Sequence, residues 1–422
     1  MLSTDTLLNQ IFTHSECNAR EATDRDAFDG VRPRVVVEPF SADAMAETLR
    51  WASSEQLQVQ VTGGRSKQMW GAPSGPVDVL ISTSSLNRVI AHRHGDLTAT
   101  VEAGATLASL NSALASHDQW LPWDPPWANC ATIGGIVATN DSGPRRHGFG
   151  APRDSIIGVT LARIDGCLAK AGGIVVKNVA GYDLSRLMTG SFGCLGVIVT
   201  ATFKLAPKAA ASRTVIVNLD SFGTAVPVVA DLAASSLTPT ALELMADECE
   251  VRVLVRFESV EDSCARQAEQ AIEVVGRRGT CRAILETEET EIWRQHMGHW
   301  DLPGTLIKLS CLPSELIAML DWVRETSSEE DLRFAVAGRV GLGVADIRLE
   351  GPVDSQARLI LTLREKLRVG RGSAVLRSAD LTLRQKIDVW GPVGSGITVM
   401  RAVKNRFDSA NRLNAFRGPA GL

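Results

Sequence analysis

Thr62-Gly63-Gly64-Arg65-Ser66-Lys67-Gln68 is the first of three glycine-rich stretches whose reading decides the fold of this 422-residue chain; Ala131-Thr132-Ile133-Gly134-Gly135 and Gly193-Cys194-Leu195-Gly196-Val197-Ile198 follow it in order. The run Leu57 to Val61 reads as a strand, and the glycines end it. Two adjacent residues without a Cβ let successive backbone N–H groups turn toward one concavity, which can hold a pyrophosphate without a P-loop. Arg65, Ser66 and Lys67 add a hydroxyl and two cations. A charge-assisted hydrogen bond to phosphate is worth roughly 1.5–3 kcal/mol, so this loop can supply much of a dinucleotide's binding energy. A strand-ending turn with solvated charges is the competing reading.

Thr132 to Asn140 reads as a short helix whose small residues Gly134, Gly135 and Ala138 offer a smooth face to a planar ring, or to ordinary close packing. In the third stretch Ile174-Val175-Val176 reads as a strand, and Asp183 caps a helix carrying Leu184, Leu187 and Met188 at i, i+3 and i+4. Gly190 ends that helix, and Gly193 to Gly196 turns into the strand Val197 to Phe203.

Outward from these stretches the chain is organised as strands and amphipathic helices. Ala42–Ser53 and Thr106–Ala115 read as helices, Leu97–Val101 as a strand, and residues 1–30 as a polar, partly ordered tail. Beyond Ala206-Pro207-Lys208, Glu250–Phe257 alternates as a strand and Val260–Gly276 is helical. Arg333–Ala337 and Val344–Leu349 pair as strands, and Ser355–Arg368 is helical. Strand–helix–strand repeated twice implies an antiparallel sheet with helices on one face.

Composition bounds the function. With 44 Lys+Arg against 48 Asp+Glu, the net charge of −4 gives no reason to expect nucleic acid or an anionic membrane as partner, and 45% hydrophobic residues suit a globular protein. No apolar run is long enough to span a bilayer and Met1–Arg20 lacks a leader pattern, so a cytoplasmic location is expected. The eight cysteines form no C-x-x-C pair, so no iron–sulfur cluster or metal site is expected on this chain.

Trp120-Leu121-Pro122-Trp123-Asp124-Pro125-Pro126, Ser142-Gly143-Pro144-Arg145-Arg146, Val176-Lys177-Asn178-Val179-Ala180-Gly181-Tyr182-Asp183-Leu184-Ser185-Arg186-Leu187 and Phe407-Asp408-Ser409-Ala410-Asn411-Arg412-Leu413-Asn414 carry a resemblance. Residues 31–209 resemble the FAD-binding half of the vanillyl-alcohol oxidase/PCMH flavoprotein superfamily, with particular likeness to the smaller flavin subunit of bacterial glycolate oxidases. The resemblance implies an α+β fold: a PCMH-type FAD-binding domain of two α+β subdomains at 31–209, an inserted cap of antiparallel sheet and helices at 210–370, and a segment 371–422 returning to the FAD domain. It implies that Thr62 and Gly63 to Gln68 bind the FAD pyrophosphate, and that Thr132, Ile133, Gly134, Gly135, Ser142 and Gly143 line the isoalloxazine and ribityl chain. Gly196, Val197 and Ile198 would meet the adenine side, with Pro126 and Thr139 as further cofactor neighbours. Attachment is expected to be non-covalent. Cys130 stands where doubly attached relatives place a flavin-linked cysteine, but the first loop has no histidine for the second link.

A flavin that takes a hydride from a 2-hydroxy acid needs a base for the hydroxyl proton and a cation for the carboxylate. Of the seven histidines, His147 follows the Ser142–Arg146 motif and is the candidate base, with Arg145 and Arg146 as carboxylate or flavin-carbonyl partners; a surface loop is the competing reading. The His-x-His metal motif that the resemblance places in some caps corresponds here to Ala335–Gly341, which has no histidine. His296 and His299, beside Trp293 and Trp300, read as a packed helix end rather than a metal site. Two functions remain open: an FAD-dependent dehydrogenase component for glycolate or D-lactate, working with a larger flavoprotein and an iron–sulfur subunit, or an FAD electron-relay or assembly subunit. A stand-alone alcohol oxidase is a third. Any membrane contact would be indirect, peripheral through such partners. Gly64→Val is expected to give a folded, colourless protein.

Overall fold

The computed structural model describes residues 2–174, 181–370 and 372–422, and the motif residues 175–180 fall outside it. Two compact units emerge: the first comprises residues 1–143, 150–208 and 393–422, the second residues 144–149 and 209–392.

The first unit is built on two sheets. One has the order Cys17–Glu21, Val35–Pro39, Val79–Ser82, Val59–Thr62, with the last three strands parallel. Val79–Ser82 is buried along its whole length, as a parallel strand covered on both faces must be. Helix Ala42–Ser54 packs on this sheet through Met45, Leu49 and Ala52, and starts where the Ser41 hydroxyl accepts from the Ala44 N–H at 3.1 Å. The other sheet is antiparallel, in the order Val89–Arg93, Thr98–Glu102, Val197–Lys204, Ile156–Ala162, Leu168–Gly172.

The second unit is an eight-stranded antiparallel sheet in the order Thr280–Ile284, Ala211–Leu219, Val251–Ser259, Ala241–Ala246, Arg333–Arg339, Val344–Glu350, Thr305–Ser310, Ser373–Ser378. Alternation along the strands sends Val215, Leu244, Val253, Ile347 and Ile307 to one face, where helices Phe222–Ala234, Glu261–Val275, Pro313–Glu329 and Val353–Gly370 cover them. Part of the opposite face is covered by helix Glu286–Gly298, whose Ile292 and Trp293 pack on Ile216 and Leu254. The charged residues Glu243, Arg339, Asp346 and Lys308 lie on the same face. The helices expected at 260–276 and 355–368 and the strand pair 333–337 and 344–349 form within a few residues of their expected ends.

Three expectations need correction. Residues 1–30 are not an irregular tail: helix Thr4–His14 buries Leu7 and Ile11, and Cys17–Glu21 joins the first sheet. Two apolar residues four apart suffice to seat one helical turn, a signal easily lost among polar neighbours. Residues 371–422 do not return as one piece. Ser373–Ser378 is an edge strand beside Thr305–Ser310, and the chain re-enters the first unit at Val393. Residues 144–149, expected inside the first domain, belong to the second unit, where the Gly148 N–H donates to the Thr240 carbonyl at 3.1 Å.

Candidate functional site

In the first unit the three glycine stretches meet around one cleft of about 850 Å³, counted to its open mouth. That is a fitting size for a dinucleotide-class ligand. The cleft brings together Thr62 to Gln68, Thr132, Gly134, Gly135, Thr139, Gly196, Val197 and Ile198. Pro126, Ile133, Ser142 and Gly143 are not among its lining: Ile133 is wholly buried, and Gly143 packs so closely on the Asp124 carbonyl that a Cβ would lie 1.9 Å from it. Sequence reasoning missed Thr83, Ala103, Phe192 and Arg417, which complete the walls together with Gly193 of the third glycine stretch and Asn414 of the C-terminal motif.

The loop after strand Val59–Thr62 is shaped by Arg65, held at φ +58°. This left-handed residue after the glycines turns consecutive N–H groups to one side. Among the described residues the N–H groups of Gly63, Gly64, Arg65 and Ser66 donate to no acceptor, so the loop is an open nest for an anion. Its two cations are otherwise engaged. The Arg65 guanidinium donates to Asp26 at 2.8 Å, and the Lys67 ammonium lies 3.3 Å from Asp141 and faces the Trp70 and Trp127 rings. That leaves the backbone N–H groups and the Ser66 hydroxyl, rather than lysine and arginine, as the loop's uncommitted donors among the described residues.

The loop cannot move independently of its neighbours. A Cβ on Gly64 would stand 1.6 Å from the Cys130 carbonyl oxygen, and one on Gly63 would stand 2.2 Å from Thr132 Oγ1. The short helix Ile133–Thr139 is capped by the Thr132 hydroxyl and locked to the sheet by Gly134 N–H donating to the Ala103 carbonyl at 2.8 Å. The expectation that Gly64→Val leaves the fold intact is therefore overturned: the added carbon meets backbone before it reaches the cleft.

The C-terminal segment closes the site. Leu413 bridges Val59, and Asn414 accepts from the Val61 N–H and donates to the Phe192 carbonyl, both at 2.9 Å. Arg417 donates to the carbonyls of Gln68 at 2.6 Å and of Trp70. Lys404, buried at the end of helix Ile397–Phe407, donates to Asp408 at 2.6 Å, the Cys194 carbonyl at 2.8 Å and the Leu413 carbonyl at 3.1 Å. Cys130 is exposed, and its thiol donates to the Trp127 carbonyl at 3.4 Å.

The three residues expected to be catalytic sit in the second unit. Arg145 is forked onto Glu258, with Nε 2.9 Å from Oε2 and Nη2 2.8 Å from Oε1, a structural strut. Burial works against the Glu258 charge, but this fork holds the carboxyl below its usual range. His147 covers Gly341, and its buried Nδ1 has no partner among the described residues. Burial pushes its pKa down while Glu243 opposes, so the imidazole is neutral near pH 7. Arg146 lies close enough to bear electrostatically on Lys308.

Lys308 marks what sequence reasoning overlooked. Across the charged sheet face, Glu243 stands opposite Arg339, and Lys308 opposite Asp346. Asp346 is wholly buried, 2.5 Å from Arg339 Nη2 and 2.9 Å from Arg377 Nη1. His296 meets Glu243 at 3.0 Å, and His299 donates to the Asp346 carbonyl at 2.8 Å. Burial drives the His299 pKa to about 4 despite Asp346. These histidines are packing groups, and no group of metal-ligating side chains occurs among the described residues.

Comparison with known proteins agrees with this geometry. Residues 33–183 match the family described as FAD binding domain, and residues 208–302 match FAD linked oxidases, C-terminal domain. The chain is 30% identical over 307 residues to glycolate oxidase subunit GlcE of Escherichia coli (strain K12), covering 69% of this chain and 83% of that protein. It is 24% identical over 421 residues to glycolate oxidase subunit GlcD of Bacillus subtilis (strain 168), covering 90% and 88%. A solved glucooligosaccharide oxidase of Acremonium strictum shares the fold at TM-score 0.71, with 15% identity and 96% of each chain covered. An open backbone nest, a glycine-walled cleft and these matches lead to one conclusion: the chain belongs to the FAD-linked oxidases of the vanillyl-alcohol oxidase/PCMH superfamily and is an FAD-binding oxidoreductase.

Proposed function

We propose that the protein is the FAD-bearing subunit of a 2-hydroxy acid dehydrogenase, with glycolate as the leading substrate and D-lactate next. The observation that carries this reading is the grouping of cations on the second unit's sheet face, where Arg339 and Arg377 hold the carboxylate of Asp346, Lys308 stands opposite it, and Arg146 bears on Lys308. Such a grouping suits a substrate carboxylate. In the first unit, the N–H groups of Gly63 to Ser66 would hold the FAD pyrophosphate, while Gly134, Gly135 and Gly196 let a planar ring or base approach backbone. Bound FAD supplies the hydride acceptor for oxidation at the α-carbon. The chain would supply the rest: a neutral His147 to take the hydroxyl proton, and the guanidinium groups to hold the acid in place.

The named relatives are subunits, which supports work within a multi-subunit complex; a larger flavoprotein and an iron–sulfur partner as electron acceptor are proposed as its other members. We further propose that FAD is held without a covalent bond, because the loop at 62–68 offers no histidine and the Cys130 thiol is turned to the Trp127 carbonyl. Anaerobic addition of glycolate to the purified protein should bleach the flavin absorbance. Bleaching only after partner subunits are added would instead support an electron-relay role. Acid precipitation should leave a yellow supernatant over a colourless pellet.

A further inference from the structure

Lys308 projects from the Thr305–Ser310 strand onto the charged face of the second unit, half-buried, directly opposite Asp346. Asp346 is already shared between Arg339 and Arg377, and among the described residues no hydrogen bond or ion pair engages the Lys308 ammonium. The charges that bear most strongly on it are Arg377, Arg339 and Arg146, which are positive, and Asp346, which is negative, while Glu243 stands opposite Arg339 on the same face. Burial first, then Arg377, pushes the lysine down to about 7, with Asp346 opposing. Near neutral pH the side chain therefore divides between amine and ammonium, whereas an ordinary lysine stays charged. An arriving anion reverses this balance, because it supplies the negative charge that the arginines otherwise outweigh.

We propose that this face is a seat for the carboxylate of a small 2-hydroxy or 2-oxo acid, and that seating the anion draws one proton from solvent onto the Lys308 amine. The inference rests on the 2-hydroxy acid reading and adds proton coupling to it. The step balances simply: the amine lone pair takes a proton from water or a buffer acid, one N–H bond forms, no bond to the ligand forms, and nothing is oxidised. The face thereby meets a carboxylate with a cation made on binding. Affinity should accordingly weaken as pH rises above neutrality.

The test is calorimetric titration of the FAD-loaded protein with oxalate, an unreactive small carboxylate, in phosphate and in Tris. At pH 8 the difference in binding heat between the two buffers should report uptake of roughly 0.5–1 proton, falling toward zero at pH 6 where the amine is already protonated. Lys308→Arg should bind oxalate within about tenfold of the parent but without proton uptake at pH 8, since guanidinium does not titrate there. Lys308→Met should lose about tenfold or more in affinity. Equal heats in both buffers for the parent at pH 8, or uptake that persists in Lys308→Arg, would overturn the proposal. Failure to bind oxalate while glycolate still bleaches the flavin would also overturn it, yet leave the dehydrogenase reading standing. Failure of both would remove the reading beneath it.

Discussion

Gly64 shows how much of a fold can rest on one missing carbon. Its Cβ position lies 1.6 Å from the Cys130 carbonyl, a backbone atom that cannot swing aside. Gly64→Ala should therefore destabilise the protein by about 2–4 kcal/mol, seen as a fall of several degrees in the thermal midpoint and poor soluble yield. An unchanged midpoint would show that the two segments part more easily than the packing implies. Lys404 makes the same point with charge. It is buried with Asp408 and two carbonyls, so Lys404→Met strands a buried carboxylate that keeps, among the described residues, the N–H donors of Arg412 and Leu413. A loss of about 2–4 kcal/mol is expected in denaturant titration. The residue scale also explains why His147 stood out from sequence while Lys308 did not. Histidine titrates near neutrality by its own chemistry, whereas lysine does so only when neighbours press on it.

At the scale of elements, the glycine-walled cleft is held by a segment that arrives last in the chain. Residues 408–417 lie along the strand end at Val59–Val61, the turn at Phe192 and the loop at Gln68–Trp70, through Leu413, Asn414 and Arg417. Asn414→Ala removes two hydrogen bonds at about 1 kcal/mol each. We expect roughly tenfold weaker FAD retention, read from flavin fluorescence on dilution, with a shift of only a few degrees in the thermal midpoint. Undiminished retention would mean that the segment braces the fold without shaping the cleft. The sequence motif Phe407 to Asn414 signalled that this region matters, but only the pairing of Asn414 with Val61 and Phe192 shows what it does. On the second unit, strand alternation was legible for Val251–Ser259 and for the Arg333–Arg339 and Val344–Glu350 pair. Ser373–Ser378 was overlooked because an edge strand borrows its stability from Thr305–Ser310, a partner distant in sequence.

For the whole molecule, buried charge sets the pH profile of stability. Asp346 is fully buried, an environment that opposes its charge, yet Arg377 and Arg339 hold its carboxyl below the usual range; Asp26 is lowered chiefly by its Arg20 hydrogen bond. Carboxylates lowered in this way contribute stability above their unfolded pKa and lose it as pH falls through the folded value. Lys308 acts in the opposite direction. Its folded pKa, about 7, lies below that of the unfolded chain, so its cost is fully present below pH 7 and is relieved as pH rises toward the unfolded value. Thermal midpoints should therefore rise from pH 6 to pH 9. Lys308→Met should stabilise the protein by about 1–2 kcal/mol at pH 6 and by much less at pH 10; a parallel curve for the variant would show that Lys308 is not the group responsible. By itself, the sequence determined the glycine loops and many of the strands and helices, because strand periodicity, caps and glycine turns act between near neighbours; the family and the expectation of two parts came from the resemblance that its motifs carry. Only the tertiary structure decided which residues wall the cleft, where the Arg145–His147 loop lies, and that Lys308 among arginines forms a charged face. Those properties depend on side chains tens to hundreds of positions apart, and on the burial and Coulomb forces that arise only once they meet.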